Sequence, residues 1–181
     1  MKKTIYSAIL ILLLSSLTMA ENPNLGIGLF GGMDIPVVQD DQDKGTTFGV
    51  KGRLKVMPIV TLEPNIYFTQ FGDPTFDEFA SDLEGSKVTA YGVDATFGAP
   101  FASKGLNVYG VVGAGFYNVK RDQTNQDETD FGWSAGLGSY LGFAPNLAFD
   151  LRSKLHVIPS EGGGSKKSLS VTGGINLYFG N

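Results

Sequence analysis

The chain has 181 residues, enough for one domain, with no cysteine and a formal charge of −4. The missing cysteines exclude a disulfide framework and a lipid anchored through an N-terminal cysteine, and the acidic balance argues against nucleic acid as a partner, because phosphate binding needs a basic face. Glycine is abundant, 25 residues, yet hydrophobic residues stay at 42%, which excludes a disordered composition and means that the fold wants many positions without a side chain.

The chain opens with MKKTIYSAILILLLSSLTMA. Lys2 and Lys3 form a basic start, Ile5 to Leu14 is a nearly unbroken apolar run, and Thr18-Met19-Ala20 places small residues where a signal peptidase reads. The run is shorter than the ~18–20 apolar residues that span a bilayer, so residues 1–20 are expected to be a cleaved secretory signal peptide, exported through the Sec route. Cleavage removes two lysines and no acid, and the formal charge moves from −4 to −6. Residues 21–181 are then one domain.

From residue 25 onward the period is two, the signal of strands with unlike faces. Eight strands are expected, at about 25–35, 46–57, 59–71, 87–98, 106–119, 130–143, 146–158 and 168–180. In the second, Phe48, Val50, Leu54 and Val56 share one face, and Gly49, Lys51, Arg53 and Lys55 the other. In the sixth, Phe131, Trp133, Leu137 and Leu141 oppose Gly132, Ser134, Gly136 and Gly138; in the seventh, Phe149, Leu151 and Leu155 oppose Asp150, Arg152, Lys154 and His156. Pro64 lacks an N–H inside the third strand and predicts a bulge or an early strand position. Most strands exceed the ~5–6 residues of soluble sheets and match the ~9–11 of a tilted strand crossing a bilayer. Short connections (57–58, 99–105, 144–145) alternate with long polar ones (36–45, 72–86, 120–129, 159–167), the pattern of a membrane barrel whose termini lie at the periplasmic end.

Alternation alone fits a soluble barrel as well, and the polar face decides between them. A water-facing surface would carry large solvated side chains, whereas here that face is rich in glycine and serine, which suit the crowded interior of an eight-stranded barrel. Its charges, Lys51, Arg53, Lys55, Arg152 and Lys154 with Asp34, Glu63, Asp94 and Asp150, have both signs and are expected to pair inside the lumen. Phe48, Phe68, Phe116, Phe131 and Trp133 fall near one end of their strands and Phe97, Phe143, Phe149 and Phe179 near the other, as two interfacial girdles require. The expected fold is an all-β, eight-stranded, antiparallel, up-and-down transmembrane β-barrel, closed so that no strand edge is exposed.

Segments VTLEPNIYF (60–68), VYGVVGAGFYNV (108–119) and DFGWSAGLGSYLGFAPNLAFDLRSKLH (130–156) resemble the small outer-membrane β-barrel family, which includes the transmembrane domain of outer membrane protein A and its short stand-alone relatives. Thr172, Gly174, Leu177 and Phe179 are similar to the β-signal of that family's last strand, although Gly180-Asn181 follow the aromatic where relatives usually stop. The resemblance implies a monomer in the bacterial outer membrane, in contact with its lipid and lipopolysaccharide, and handled by the barrel-assembly machinery. A peptidoglycan-binding domain like that of longer relatives is not expected after the eighth strand.

The long connections hold 13 of the 18 acidic residues, including Asp40, Asp41, Asp43, Asp73, Asp77, Asp122, Asp127, Glu128, Asp130 and Glu161. Solvation is the commoner reason for such a surface, and cation or partner binding the sharper one. Asp40 to Gly45 lacks acids at the third and fifth ligand places and has Lys51 where the closing Glu belongs, so it is not an EF-hand. No cofactor or metal motif appears. Three functional readings follow. A scaffold with a plugged lumen presents the acidic loops for envelope integrity or partner contact. A narrow channel or conduit uses the space left by lumen glycines. A lipid A-modifying enzyme, similar to certain eight-stranded barrels, would use His156 with Ser160, but the His-x-Ser spacing of that resemblance is missing because residue 158 is Ile. The first reading is preferred, with no enzymatic activity.

Overall fold

Alternation of unlike faces leaves each strand with one apolar side to hide, and pairing all strands edge to edge in a ring satisfies every backbone group without leaving an edge. The computed structural model describes residues 24–37, 43–72, 86–99, 101–102, 104–121, 126–144, 146–159 and 164–179, and the expected signal peptide lies outside them. Eight strands follow in chain order: β1 (Leu25–Pro36), β2 (Gly45–Met57), β3 (Val60–Phe71), β4 (Lys87–Phe97), β5 (Gly105–Arg121), β6 (Gln126–Ala144), β7 (Leu147–Pro159) and β8 (Ser165–Phe179). Each pairs antiparallel with the next, and β1 pairs with β8 from Leu25↔Phe179 to Pro36↔Ser168, which closes the barrel.

Two local expectations are corrected. The connection expected at 120–129 is mostly sheet: β5 and β6 stay in register out to Arg121↔Gln126. Polar cross-strand pairs carry the ladder beyond the apolar band, with Asn118 Nδ2 donating to Thr129 Oγ1 at 2.9 Å. Asp127, Glu128 and Asp130 therefore belong to a strand and not to a loop. Pro64 causes no bulge and is not an early residue: β3 and β4 run in continuous register past Pro64↔Val93, and the irregularity of β2–β3 falls at Lys55/Met57 instead. Gly52 explains the tolerance. It lies beside Pro64, and even a methyl there would stand 3.3 Å from the ring.

Candidate functional site: the barrel lumen

The distribution of side chains is inverted relative to a water-soluble protein. Leu106, Val108, Leu137, Phe48 and Phe143 lie among the most exposed residues, whereas Lys51, Arg53, Glu63, Asp94, Asp150, Arg152 and Lys154 are buried. The outward aromatics associate across strands: Phe48 stacks on Phe68 at 5.5 Å, Tyr91 on Phe116 at 5.8 Å, and Phe131 meets Phe116 edge-on at 5.5 Å. Tyr91 joins the girdle that residue spacing had assigned to phenylalanines and Trp133. Apolar surface of this extent has a stable neighbour only in lipid.

Inside, charges from four strands interlock. Glu63, with no exposed surface, forms an ion pair with Arg53, Nε to Oε1 at 2.8 Å, and accepts from Arg152 Nη2 at 2.6 Å, and Lys51 Nζ lies 4.0 Å away. Lys51 is paired with Asp150, which also accepts from the Tyr109 hydroxyl and from Arg152 Nη2 at 3.3 Å. Asp94 takes Arg152 Nη1 at 3.1 Å and Lys154 Nζ at 2.8 Å. Asp34, on β1, stands apart nearer the long-connection end, and seven of the nine charges expected to pair in the lumen are brought together. Lys55 is not: it is half-buried near the short-turn end and joins none of these pairs.

The cluster holds four cations and three carboxylates, and aromatic rings surround the cation with the fewest carboxylates. The Arg53 guanidinium lies 5.4 Å from the Tyr178 ring centre, 5.5 Å from Tyr140 and 5.7 Å from Phe101, and it donates to the Tyr178 hydroxyl. Phe101 comes from the turn between β4 and β5, where Gly98, Ala102 and Gly105 have φ of 106°, 54° and 78°. This left-handed path folds the turn beneath the barrel, and Phe101 meets Tyr178 edge-on at 4.9 Å. Sequence reasoning left Tyr109, Tyr140 and Tyr178 unassigned. The available signal was their place on the small-residue face, where Tyr140 has Gly138 and Gly142 two positions away, Tyr178 has Asn176 and Gly180, and Tyr109 precedes Gly113 and Gly115 on one face.

The inward glycines do not leave empty space. A methyl at Gly138 would collide with the Tyr109 phenol, and one at Gly113 with the Asp94 carboxylate. At Gly49 it would stand 2.7 Å from the Phe30 ring, and at Gly132 2.8 Å from the Tyr117 ring. Glycine serves here to give clearance to large side chains on the adjacent strand, with Tyr109 paired to Gly138, Asp94 to Gly113 and Phe30 to Gly49.

Toward the long-connection end the chemistry changes. His156, 2% exposed, has Nδ1 within 3.0 Å of the Tyr117 hydroxyl and 3.3 Å of the Tyr67 hydroxyl, and its Nε2 is 2.9 Å from Ser170 Oγ. Both ring nitrogens thus have partners, and Ser160 lies outside the described residues. This layer divides a cavity of about 20 Å³ beside Lys51, Arg152 and Lys154 from a cavity of about 60 Å³ above it. At the rim Lys166 reaches Glu128 at 3.3 Å and Asp130 at 3.7 Å. Of the residues matched to the assembly signal, Thr172 and Gly174 face the lumen of β8 and Leu177 and Phe179 face outward. The EF-hand-like stretch begins at Asp40, and residues 38–42 are outside the described residues. No group of three or more His, Cys, Asp or Glu among the described residues is arranged to hold a metal.

The same architecture recurs in solved outer-membrane proteins at low identity. Neisserial surface protein A superposes with a TM-score of 0.70 at 12% identity, over 86% of this chain and 97% of that one. The N-terminal β-barrel domain of Pseudomonas aeruginosa OprF gives 0.58 at 12%, over 87% and 98%, and Ail, the attachment invasion locus protein of Yersinia pestis, 0.51 at 17%, over 89% and 100%. These identities establish a shared fold and nothing finer. A sequence search among curated proteins found no match. The profile of the family described as outer membrane protein beta-barrel domain matches residues 6–179, nearly the whole chain, and it carries the location that the inverted surface requires. The chain belongs to that family of bacterial outer-membrane β-barrel proteins.

Proposed function

We propose that the protein is a non-enzymatic outer-membrane scaffold with a closed lumen, which holds the four connections at one end of the barrel at the cell surface for envelope integrity or contact with a partner. The observation that carries this reading is the Arg53–Glu63–Arg152–Asp150–Lys51 cluster, whose ion pairs link β2, β3 and β7 across the lumen. A buried ion pair is costly to separate, and this one is backed below by Tyr140, Tyr178 and Phe101. The connections then supply the chemistry available to partners. By sequence these connections, 37–44, 72–86, 122–125 and 160–164, contain ten acidic residues and one Lys. A surface of that sign favours basic partners and disfavours polyanions.

The conduit reading drew on glycines leaving space, and the side chains that fill that space remove its support. Single-channel recording on folded protein in a planar bilayer separates the two. A closed lumen gives a silent bilayer from a sample whose folding is verified by the boiled-versus-unboiled gel shift. Discrete openings from that sample overturn the scaffold reading.

A further inference from the structure

The 60 Å³ cavity above the His156 layer is built unlike the rest of the lumen. Six strands contribute to it, and its walls are mainly aromatic and aliphatic: Tyr67, Phe71, Tyr117, Val88, Val119 and Ile158. It is several times larger than the 10–15 Å³ that one water needs. Its floor is the Tyr67–His156–Tyr117 layer, whose polar atoms already bond to one another. Thr69, Ser86, Ser168, Lys166 and Lys167 also line it, and one polar wall residue stands apart from these. Asp34 is 4% exposed, and its Oδ1 has no hydrogen-bond partner among the described residues. Ser168 bonds the same carboxyl group, and Lys154, the cation acting on it, is held by Asp94 at 2.8 Å. The rim cation Lys166 is likewise taken up by Glu128 and Asp130.

A buried carboxylate oxygen without a partner is expensive, and a ligand that brings a charged N–H donor removes that cost. Aromatic walls add attraction for an ammonium group, and the aliphatic walls bury an apolar body. The geometry points to this vestibule as a binding site for a small primary amine with an aromatic or branched aliphatic body, its ammonium on Asp34 and its body against Phe71, Val88, Val119 and Ile158. By sequence the connections at this end (37–44, 72–86, 122–125 and 160–164) carry ten acids and one Lys, and the strand ends beside them add Asp34, Asp127, Glu128 and Asp130 against Lys87, Lys120, Arg121, Lys166 and Lys167, an acidic excess in total. Such a field concentrates cations at the entrance and repels anions of the same shape. The site requires the cavity and Asp34, and it stands whether or not the lumen below conducts.

Three probes of one shape and different charge test it: phenethylamine, 2-phenylethanol and 3-phenylpropionate. Folded protein, purified from the membranes of an expressing host, is placed in phosphatidylcholine nanodiscs and titrated while the methyl NMR signals of Val88, Val119 and Ile158 are followed. The amine gives saturable shifts at these methyls, and the alcohol and the carboxylate bind at least tenfold more weakly. Asp34→Asn weakens amine binding by about 10- to 100-fold, as loss of a charge-assisted hydrogen bond requires. If Asp34→Asn does not fold, Ile158→Trp, which fills the cavity, abolishes the shifts at Val88 and Val119. Overturning results are the absence of saturable shifts with the amine, equal binding of amine and alcohol or of amine and carboxylate, undiminished binding to folded Asp34→Asn, or undiminished binding to Ile158→Trp.

Discussion

Replacing Glu63 by Gln asks whether the lumen cluster is a dry, mutually paired unit. Glu63 has no exposed surface and serves two guanidiniums, Arg53 at 2.8 Å and Arg152 at 2.6 Å, with Lys51 at 4.0 Å. The amide keeps the shape and loses the charge, so four buried cations then face only Asp94 and Asp150. Arg53 faces Oε1 and Arg152 faces Oε2, so the amide sets its NH₂ group, a donor, against one of the two cations. Removing one partner of a buried pair costs about 3–5 kcal/mol, whereas an exposed pair contributes about 0–1 kcal/mol. With a urea slope of about 2 kcal/mol per molar, the unfolding midpoint of Glu63→Gln falls by about 1.5–2.5 M. The assay is urea unfolding in phosphatidylcholine vesicles, read by the fluorescence of the single, outward-facing Trp133 and by the gel shift. Glu128→Gln serves as the control: its pair with Lys166 is half-exposed at the rim, and its midpoint moves by less than about 0.5 kcal/mol equivalent. A loss below about 1 kcal/mol for Glu63→Gln would mean that water screens the cluster, and the argument for a closed lumen would fail with it.

Two further outcomes test the other faces of the wall. Leu137, 68% exposed between the two aromatic girdles, becomes costly when charged: Leu137→Arg destabilises the barrel in vesicles by about 2–4 kcal/mol, and no change in the urea midpoint would mean that this face does not meet lipid. Gly138→Ala drives a methyl into the Tyr109 phenol, which is held by Asp150 and Arg152, and costs about 1–3 kcal/mol in the same assay. Gly173→Ala, whose methyl would meet the Phe149 ring at an ordinary 3.5 Å, is within about 0.5 kcal/mol of the unaltered protein. Equal costs at the two glycines would refute the account of lumen glycines as clearance for large side chains on the adjacent strand.

Much of the barrel was legible because a strand's two faces repeat every second residue, whatever lies far away in the chain. Phe48, Val50, Leu54 and Val56 against Lys51 and Arg53 fix inside and outside for β2 without knowledge of its partners. Loop lengths then order the strands. What alternation does not carry is contact between residues on non-adjacent strands. Lys51 and Asp150 are 99 positions apart, and Arg152 and Glu63 are 89 apart, so the sequence offers a set of charges and no pairing among them. Lys55 continues the alternation of Lys51 and Arg53, yet it falls beyond the ring of carboxylates, which is a matter of depth along the axis and not of face. The extension of β5 and β6 was missed for a related reason. Outside the apolar band both faces are polar, the period fades, and only the cross-strand match of Asn118 with Thr129 marks the ladder.

The same logic separates the two ends of the lumen. Near its middle each charge of the cluster meets one of opposite sign, Arg53 lies among three aromatic rings as well, and glycines paired with Tyr109 and Asp94 supply clearance. Above His156 the inward residues turn aliphatic and aromatic at Phe71, Val88, Val119 and Ile158, although these positions lie nearer to water than the charges below. A barrel selected only for a tight plug would place its apolar layer deepest and its charges at the mouth, where hydration is available. The reverse order puts the structural cluster at mid-barrel and leaves a chamber with largely apolar walls at the end bearing the acidic connections, with the buried Asp34 Oδ1 still to be satisfied. That order is hard to derive from stability alone, and it follows directly if the chamber holds a ligand.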